Sequence, residues 1–289
     1  MTETSTAIST DAAQRAVVRV VRGMPASDGA GVRLTRVIGQ PGLAELDPFL
    51  LLDEFRSDNP GDYIAGFPEH PHRGFETVTY LIAGRVRHED NKGHKGLLTA
   101  GSVQWMTAGR GIVHSEMPEQ ERGLLQGFQL WVNLPRASKM SAPRYQEYEP
   151  SDIPEATLAN GVHARVIAGR FADQRGPIDA AATEPLYLDL SLPPGSDVQV
   201  PIRRGHAGFA YVFDGAAWIG ATGTAVPRGA LAVLGDGGSL ALRADGSAAR
   251  LLVVAGKPLG EPVARYGPFV MNTEAEIHQA VRDFQAGLL

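Results

Sequence analysis

Short apolar runs recur along the chain between turn-forming residues. Most have four to seven residues and are rich in Val, Leu, Tyr and Phe. The runs lie at residues 77–82, 103–106, 128–132, 186–192, 208–213, 230–234 and 250–254. Their length and their glycine-marked joints predict short β-strands, a pattern typical of an all-β sandwich or barrel.

The pattern divides into two similar halves. Residues 136–154 are polar and contain several prolines, which is typical of a connection between domains. On either side of it, the segment YLIAG at 80–84 resembles YVFDG at 211–215. We therefore predict two β-barrels of similar design, at residues 15–148 and 149–262, followed by a C-terminal segment at 263–289.

One helix is predicted, and it lies in the C-terminal segment. Thr273 and Glu276 have the spacing of a capping box, in which both side chains bind free amide groups. An apolar stripe at helical spacing follows, at Ile277, Ala280, Val281 and Phe284. Gly287 indicates the helix end. We expect the stripe to pack against a barrel.

Composition agrees with many turns and excludes several kinds of chemistry. The 34 glycines and 20 prolines are dispersed along the 289 residues, which favours short strands. Cysteine is absent, which excludes disulfides, thiolate nucleophiles and cysteine-based zinc sites. Any metal site must therefore consist of His, Asp and Glu side chains.

Charge and hydropathy argue against nucleic acids and membranes as binding partners. The net charge is −5 and the sequence has no run of Lys and Arg, which argues against direct nucleic-acid binding. No apolar run approaches the length of about 18 residues that a membrane span needs. Residues 1–16 lack the features of a signal peptide. We expect a cytoplasmic protein with a loose N-terminal tail.

Two compact patterns carry candidate metal ligands. The first contains His70, His72 and Glu76, and the second contains His114 and Glu116. Residues i and i+2 of a strand point to the same face, so His70 can project with His72, and His114 with Glu116. Three imidazoles and one carboxylate suit a divalent transition metal such as Fe, Mn, Co, Ni, Cu or Zn.

Spacing alone leaves the carboxylate ligand open between Glu76 and Glu116. The other histidines offer no comparable pairing. We expect His88 and His94, in a charged loop, to be solvated or at the rim of the site. We expect His163, His206 and His278 to be structural or exposed.

The blocks around these residues resemble the pirin family of bicupins. The matching blocks are HPHRGFETVTYL at 70–81, HED at 88–90, QWMTAGRGIVHSEM at 104–117, QLWVN at 129–133, YQ at 145–146, GEP at 260–262 and YGPFVMN at 266–272. The resemblance implies two cupin-type (jelly-roll) barrels in tandem with a short C-terminal α-helix.

The resemblance also implies a ligand set. In pirins the ligands are both histidines of the first motif and the His and Glu of the second, here His70, His72, His114 and Glu116. Glu76 would then be either a buried carboxylate or a carboxylate beside the ligands that orients one of them. The implied cofactor is one divalent metal, Fe(II) in the first place. Residues 203–209 keep one histidine, so we expect no metal in the second barrel.

Three functions follow as hypotheses. The first is a flavonol (quercetin) dioxygenase that opens a small aromatic substrate with O2, with Glu116 as the catalytic base. The second is a metal- or redox-responsive co-regulator that acts through protein partners without catalysis. The third is another cupin reaction such as an isomerisation. We expect a monomer, because two fused barrels already cover each other.

Overall fold

The computed structural model describes residues 13–289, which form mainly antiparallel β-strands. The strands of the first half are β1 (Val17–Arg22), β2 (Met24–Asp28), β3 (Val32–Ile38), β4 (Phe49–Ser57), β5 (Phe67–His72), β6 (Phe75–Ala83), β7 (Val86–Asp90), β8 (Lys95–Leu98), β9 (Val103–Thr107), β10 (Ile112–Pro118), β11 (Leu125–Asn133) and β12 (Arg144–Tyr148).

The second half continues in the same style and ends in the helix. Its strands are β13 (Glu155–Thr157), β14 (His163–Ala168), β15 (Arg170–Phe171), β16 (Gln174–Arg175), β17 (Leu186–Leu192), β18 (Asp197–Pro201), β19 (Ala207–Asp214), β20 (Ala216–Ile219), β21 (Thr224–Pro227), β22 (Ala230–Leu234), β23 (Ser239–Arg243), β24 (Ala249–Gly256), β25 (Ala264–Tyr266) and β26 (Phe269–Met271), before helix α1 (Glu274–Gln285). Short 3-10 turns cover Pro60–Asp62, Arg136–Ser138 and Pro150–Asp152. Each predicted apolar run lies within a strand.

The strands form two barrels of the same topology. The first combines a seven-stranded sheet, β12-β9-β6-β11-β4-β3-β2, with a four-stranded sheet, β5-β10-β7-β8. The second combines β1-β22-β19-β24-β17-β14-β13 with β18-β23-β20-β21. The two orders correspond position by position, and β6 takes the place of β19. The prediction of an all-β fold with two cupin barrels is confirmed.

The N-terminal strand belongs to the second barrel. β1 pairs with β22. The predicted boundary at residue 15 placed residues 17–22 in the first barrel, and this assignment was wrong. The predicted loose tail was also wrong at Arg15, whose side chain is fully buried. Arg15 donates hydrogen bonds to four carbonyl oxygens of the second barrel, at distances of 2.8–3.0 Å. Residues 1–12 of that predicted tail lie outside the described residues.

The large sheets of the two barrels pack face to face. The core between them contains Val78 and Phe128 from the first barrel and Phe209 and Leu252 from the second, all fully buried. The interior of each barrel has a core of its own. The barrels therefore share one apolar layer.

The C-terminal segment returns to the first barrel. β25 and β26 form a hairpin. After β5, Arg73 O accepts a hydrogen bond from Val270 N at 3.0 Å, and Arg73 N donates to Pro268 O at 3.3 Å. The predicted capping box at the start of α1 is confirmed, with Glu276 N donating to Thr273 Oγ1 at 3.3 Å. The helix packs on β26 through Ile277 and Ala280. Within the described residues, no helix has the length and hydropathy needed to cross a membrane.

Candidate metal centre

Three histidines meet inside the first barrel. His70 and His72 lie on β5, and His114 lies on the neighbouring strand β10, directly opposite His70. The ring centroids of the three imidazoles are 4.5–5.0 Å apart. Each offers a ring nitrogen within 4.8 Å of those of the other two. The alternation of side chains on two paired strands thus brings together three of the four predicted ligands.

Four ring nitrogens of this cluster are buried without a hydrogen-bond partner among residues 13–289. Both nitrogens of His72 and of His114 are buried without a hydrogen bond to the described residues. His70 Nδ1 lies 2.8 Å from Pro68 O, which leaves Nε2 of His70 free. Buried polar atoms are normally satisfied, so these nitrogens fit a set of metal ligands.

Burial also sets the charge of these imidazoles. The pKa of His72 is well below its ordinary value, because burial and then the neighbouring His70 disfavour the charged form. The pKa of His114 is lowered in the same way, by burial and then by His72 and His70. Neutral imidazole is the form that binds metals, so both side chains are ready to ligate near neutral pH.

Glu116 lies on the same strand as His114, with its side chain buried beside the cluster. Its carboxylate accepts a hydrogen bond from Gln129 Nε2 at 3.2 Å, and lies 3.2 Å from Thr79 Oγ1 and 3.5 Å from His88 Nδ1. It stands outside the close group of the three histidines. The structure therefore places Glu116 next to the candidate metal ligands.

Glu76 is on the other side of the sheet. On β6 it shares its face with Val78 and Tyr80, whose side chains belong to the core between the barrels, whereas Thr79 faces Glu116. Glu76 is buried and accepts a hydrogen bond from Thr107 Oγ1 at 2.7 Å. The expectation that Glu76 orients a metal ligand was therefore wrong, because strand alternation points it away from the histidines.

His88 also differs from expectation. It was expected to be solvated or at the rim, but it lies on β7 opposite Glu116 and is only 1% exposed. The charged segment around it is a strand whose alternate residues face the interior. His94 is partly exposed, stacks on Tyr145 and lies 3.0 Å from Glu147.

The remaining histidines lie away from this site. His163 pairs with Glu155 at the surface, and His278 is exposed on α1. His206 is buried, and its carbonyl oxygen accepts a hydrogen bond from Arg15. In the second barrel, four inward positions on or just after β18 and on β23 are apolar, at Val200, Ile202, Leu240 and Leu242. These positions correspond to those of the candidate ligands in the first barrel. Residues 203–209, which contain the one histidine kept in the sequence comparison, instead form the loop before β19 and the first residues of β19.

A cavity of about 640 Å³ opens onto the cluster. His70, His72 and Glu116 line it together with apolar side chains from the barrel interior, among them Leu34 and Phe55. This volume is within the range of small-molecule sites. The cavity is a pocket with both a polar end and a broad apolar wall.

The C-terminal hairpin forms part of the cavity wall, which the sequence patterns did not reveal. Arg265, Gly267 and Pro268 line the cavity, and the Arg265 guanidinium lies 4.8 Å from the ring centre of Trp131. The hairpin approaches closely because Gly74 has no side chain: a Cβ there would lie 1.9 Å from Val270 O. The matching block at 266–272 was the available signal for this contact.

Fold and site together define a two-barrel cupin with one histidine-rich centre. The sequence profile of the Pirin family matches residues 31–132, and that of the Pirin C-terminal cupin domain matches residues 187–289. The chain belongs to the pirin family.

Relatives agree over nearly the whole chain. A Pseudomonas aeruginosa protein, provisionally named quercetin 2,3-dioxygenase, is 52% identical over 95% of this chain and 98% of its own length. Mouse pirin is 45% identical, over 95% and 93%. The crystal structure of quercetin 2,3-dioxygenase from Acinetobacter baumannii superposes with a TM-score of 0.88 at 36% identity, covering 95% and 98%.

Proposed function

We propose that this protein is a metal-dependent flavonol dioxygenase of the quercetin 2,3-dioxygenase type. The observation that carries the proposal is the group of three close histidines beside a cavity with an apolar wall, in which both ring nitrogens of His72 and His114 are buried without partners among residues 13–289. The names of the Pseudomonas and Acinetobacter relatives support the same reaction.

The ligands would be His70, His72, His114 and Glu116. The pirin family implies Fe(II) as the ion, and the nitrogen-rich, sulfur-free donors also suit Mn, Co, Ni, Cu and Zn. A metal bound there would act as a Lewis acid for a substrate oxygen and give access to dioxygen. Three neutral imidazoles and one carboxylate contribute one negative charge, so a divalent ion leaves the site net positive and favours an anionic ligand.

The protein's own residues bind the flavonol and move its proton. The apolar wall with Leu34 and Phe55 would hold the flat rings and exclude water. Glu116 would accept the proton of the flavonol hydroxyl as general base, since its buried carboxylate reaches the cavity. In the overall reaction both atoms of O2 enter the ring-opened ester, and one ring carbon leaves as carbon monoxide.

Oxygen uptake tests this function. Protein loaded with one iron per chain and protein stripped of metal would be compared with quercetin as substrate. We expect uptake only in the loaded protein, with equal amounts of O2 consumed and ring-opened ester formed. No uptake by protein that carries one iron per chain would overturn the proposal.

A further inference from the structure

The large sheet of the first barrel carries a row of polar side chains on its interior face. The row runs in register across five neighbouring strands and consists of Gln104, Thr79, Gln129, Asp53 and Arg36. The corresponding row of the second barrel consists of Ala232, Ala210, Val253, Leu188 and Val166, all in its apolar core. The same fold thus exists in this chain with and without the polar row.

Two members of the row lie against Glu116, and Gln129 donates to its carboxylate. Thr79 Oγ1 donates to Gln129 Oε1 at 2.7 Å, which is shorter than its 3.2 Å contact with Glu116. A threonine hydroxyl has a single proton, so the shorter bond fixes the amide oxygen of Gln129 toward Thr79. The Gln129 amide group then points at Glu116 and lies 3.2 and 3.4 Å from its two oxygens.

His88 also lies beside the Glu116 carboxylate. It is Glu116's cross-strand partner on β7, with Nδ1 3.5 Å from Glu116 Oε1. Where the first barrel pairs His88 with Glu116, the second pairs Ile219 with Leu242. The polar surroundings of Glu116 are therefore absent from the barrel whose ligand positions are apolar.

We propose that Thr79 and Gln129 are positioning residues for Glu116. Thr79 sets the orientation of the Gln129 amide, and Gln129 holds the carboxylate beside His70, His72 and His114. Side chains that orient a metal ligand contribute about 10–100-fold to metal affinity. This inference rests on the metal site of the proposed function but not on its reaction.

Co(II) binding to the full chain tests the inference without substrate. Relative to the unsubstituted protein, we expect Gln129→Leu to weaken Co(II) binding about 10–100-fold and to change the visible absorption spectrum of the bound ion as the carboxylate moves. Thr79→Val should weaken binding in the same direction. Thr79→Ser, which keeps the hydroxyl, should bind like the unsubstituted protein.

Thr77→Val is the matched control. Thr77 is buried on the same strand face, two residues from Thr79, and is not among the hydrogen-bond partners of Glu116 within residues 13–289. We expect its Co(II) affinity and spectrum to be unchanged. This control separates loss of the Glu116 contact from loss of a buried hydroxyl.

The outcomes separate this inference from the metal site itself. If the unsubstituted protein does not bind Co(II), the proposed ligand set is overturned. If it binds Co(II) and Gln129→Leu binds it with equal affinity and spectrum, the positioning role is overturned. Should Gln129→Leu fail to fold, equal affinities of Thr79→Val and Thr79→Ser would overturn the positioning role.

Discussion

At the scale of single residues, burial makes His114 suited to bind a metal. Its ring is 1% exposed, its pKa is lowered chiefly by burial, and both its nitrogens lack partners among the described residues. Its strand, β10, is fixed on both sides, because β10 pairs with β5 on one side and with β7 on the other. A side chain held this way has no alternative partner to compete with a metal.

Replacing His114 should remove metal and turnover together. We expect His114→Ala to bind much less than one iron per chain and to lose quercetin-dependent oxygen uptake, because one of three close nitrogens is gone. Elemental analysis of the purified protein measures the metal. The control is His278→Ala, an exposed histidine on α1, which should keep both. Full metal content in His114→Ala would contradict the ligand assignment.

The choice between Glu76 and Glu116 shows how far the residues of the site could be predicted from the sequence. Spacing left both carboxylates open, and the family resemblance favoured Glu116. In the structure, strand alternation separates them: Thr79 faces Glu116, while Glu76 faces Thr107 on the other side of the sheet. His88 was misjudged because a charged composition was taken to indicate solvent exposure, although alternate residues of β7 are buried.

At the scale of elements, two segments cross to a barrel that is distant in sequence. β1 completes the second barrel, where Arg15 bonds Gly237 O across 222 residues. The β25–β26 hairpin closes the cavity of the first barrel. Local patterns predict that a strand exists, but they do not specify its partner. The strands could therefore be predicted from sequence, whereas these two crossings could not.

Arg15 should anchor the crossing of β1. Arg15→Met leaves four carbonyl oxygens, in two buried and two partly buried contacts, without their donor, and we expect the free energy of unfolding to fall by about 3 kcal/mol. Urea unfolding at equilibrium measures the change. Arg22→Met is the control, since the Arg22 side chain is exposed on β1, the strand that follows Arg15, and its effect should stay within about 0.5 kcal/mol. Equal effects of the two substitutions would contradict the anchoring role.

At the scale of the whole molecule, the barrels are joined by a reciprocal pair of hydrogen bonds. Tyr80 of the first barrel donates to Asp189 of the second at 2.6 Å, and Tyr211 of the second donates to Glu54 of the first at 2.5 Å. The tyrosines occupy equivalent positions of β6 and β19, as the YLIAG and YVFDG segments indicated. The tyrosine that recurs in the two sequence segments therefore makes an equivalent hydrogen bond to the other barrel in each case.

The two hydrogen bonds should differ in strength. Asp189 keeps a two-point bond from Arg250, whereas Glu54 would keep only Gln126 at 3.3 Å. We expect Tyr211→Phe to cost about 2 kcal/mol and Tyr80→Phe about 1 kcal/mol in urea unfolding at pH 8. A larger cost for Tyr80→Phe would contradict this order.

The cost of Tyr211→Phe should also depend on pH. Burial raises the pKa of Glu54, and the hydrogen bond from Tyr211 opposes that rise. Without the tyrosine, the folded-state pKa of Glu54 rises further above its unfolded-state value. The variant therefore loses stability as pH increases from the unfolded-state pKa of Glu54 through its folded-state pKa. The deficit should therefore be smaller at pH 5 than at pH 8.

The shared apolar layer should make the two barrels unfold together. Neither large sheet can separate without exposing the buried layer around Phe128 and Phe209, and exposing such side chains costs about 1.5–3 kcal/mol each. Trp218→Phe leaves Trp105 and Trp131, both in the first barrel, as the fluorescent reporters. Its urea transition by fluorescence should coincide with that by far-ultraviolet circular dichroism, which reports both barrels. A second transition seen only by dichroism would show that the second barrel unfolds independently.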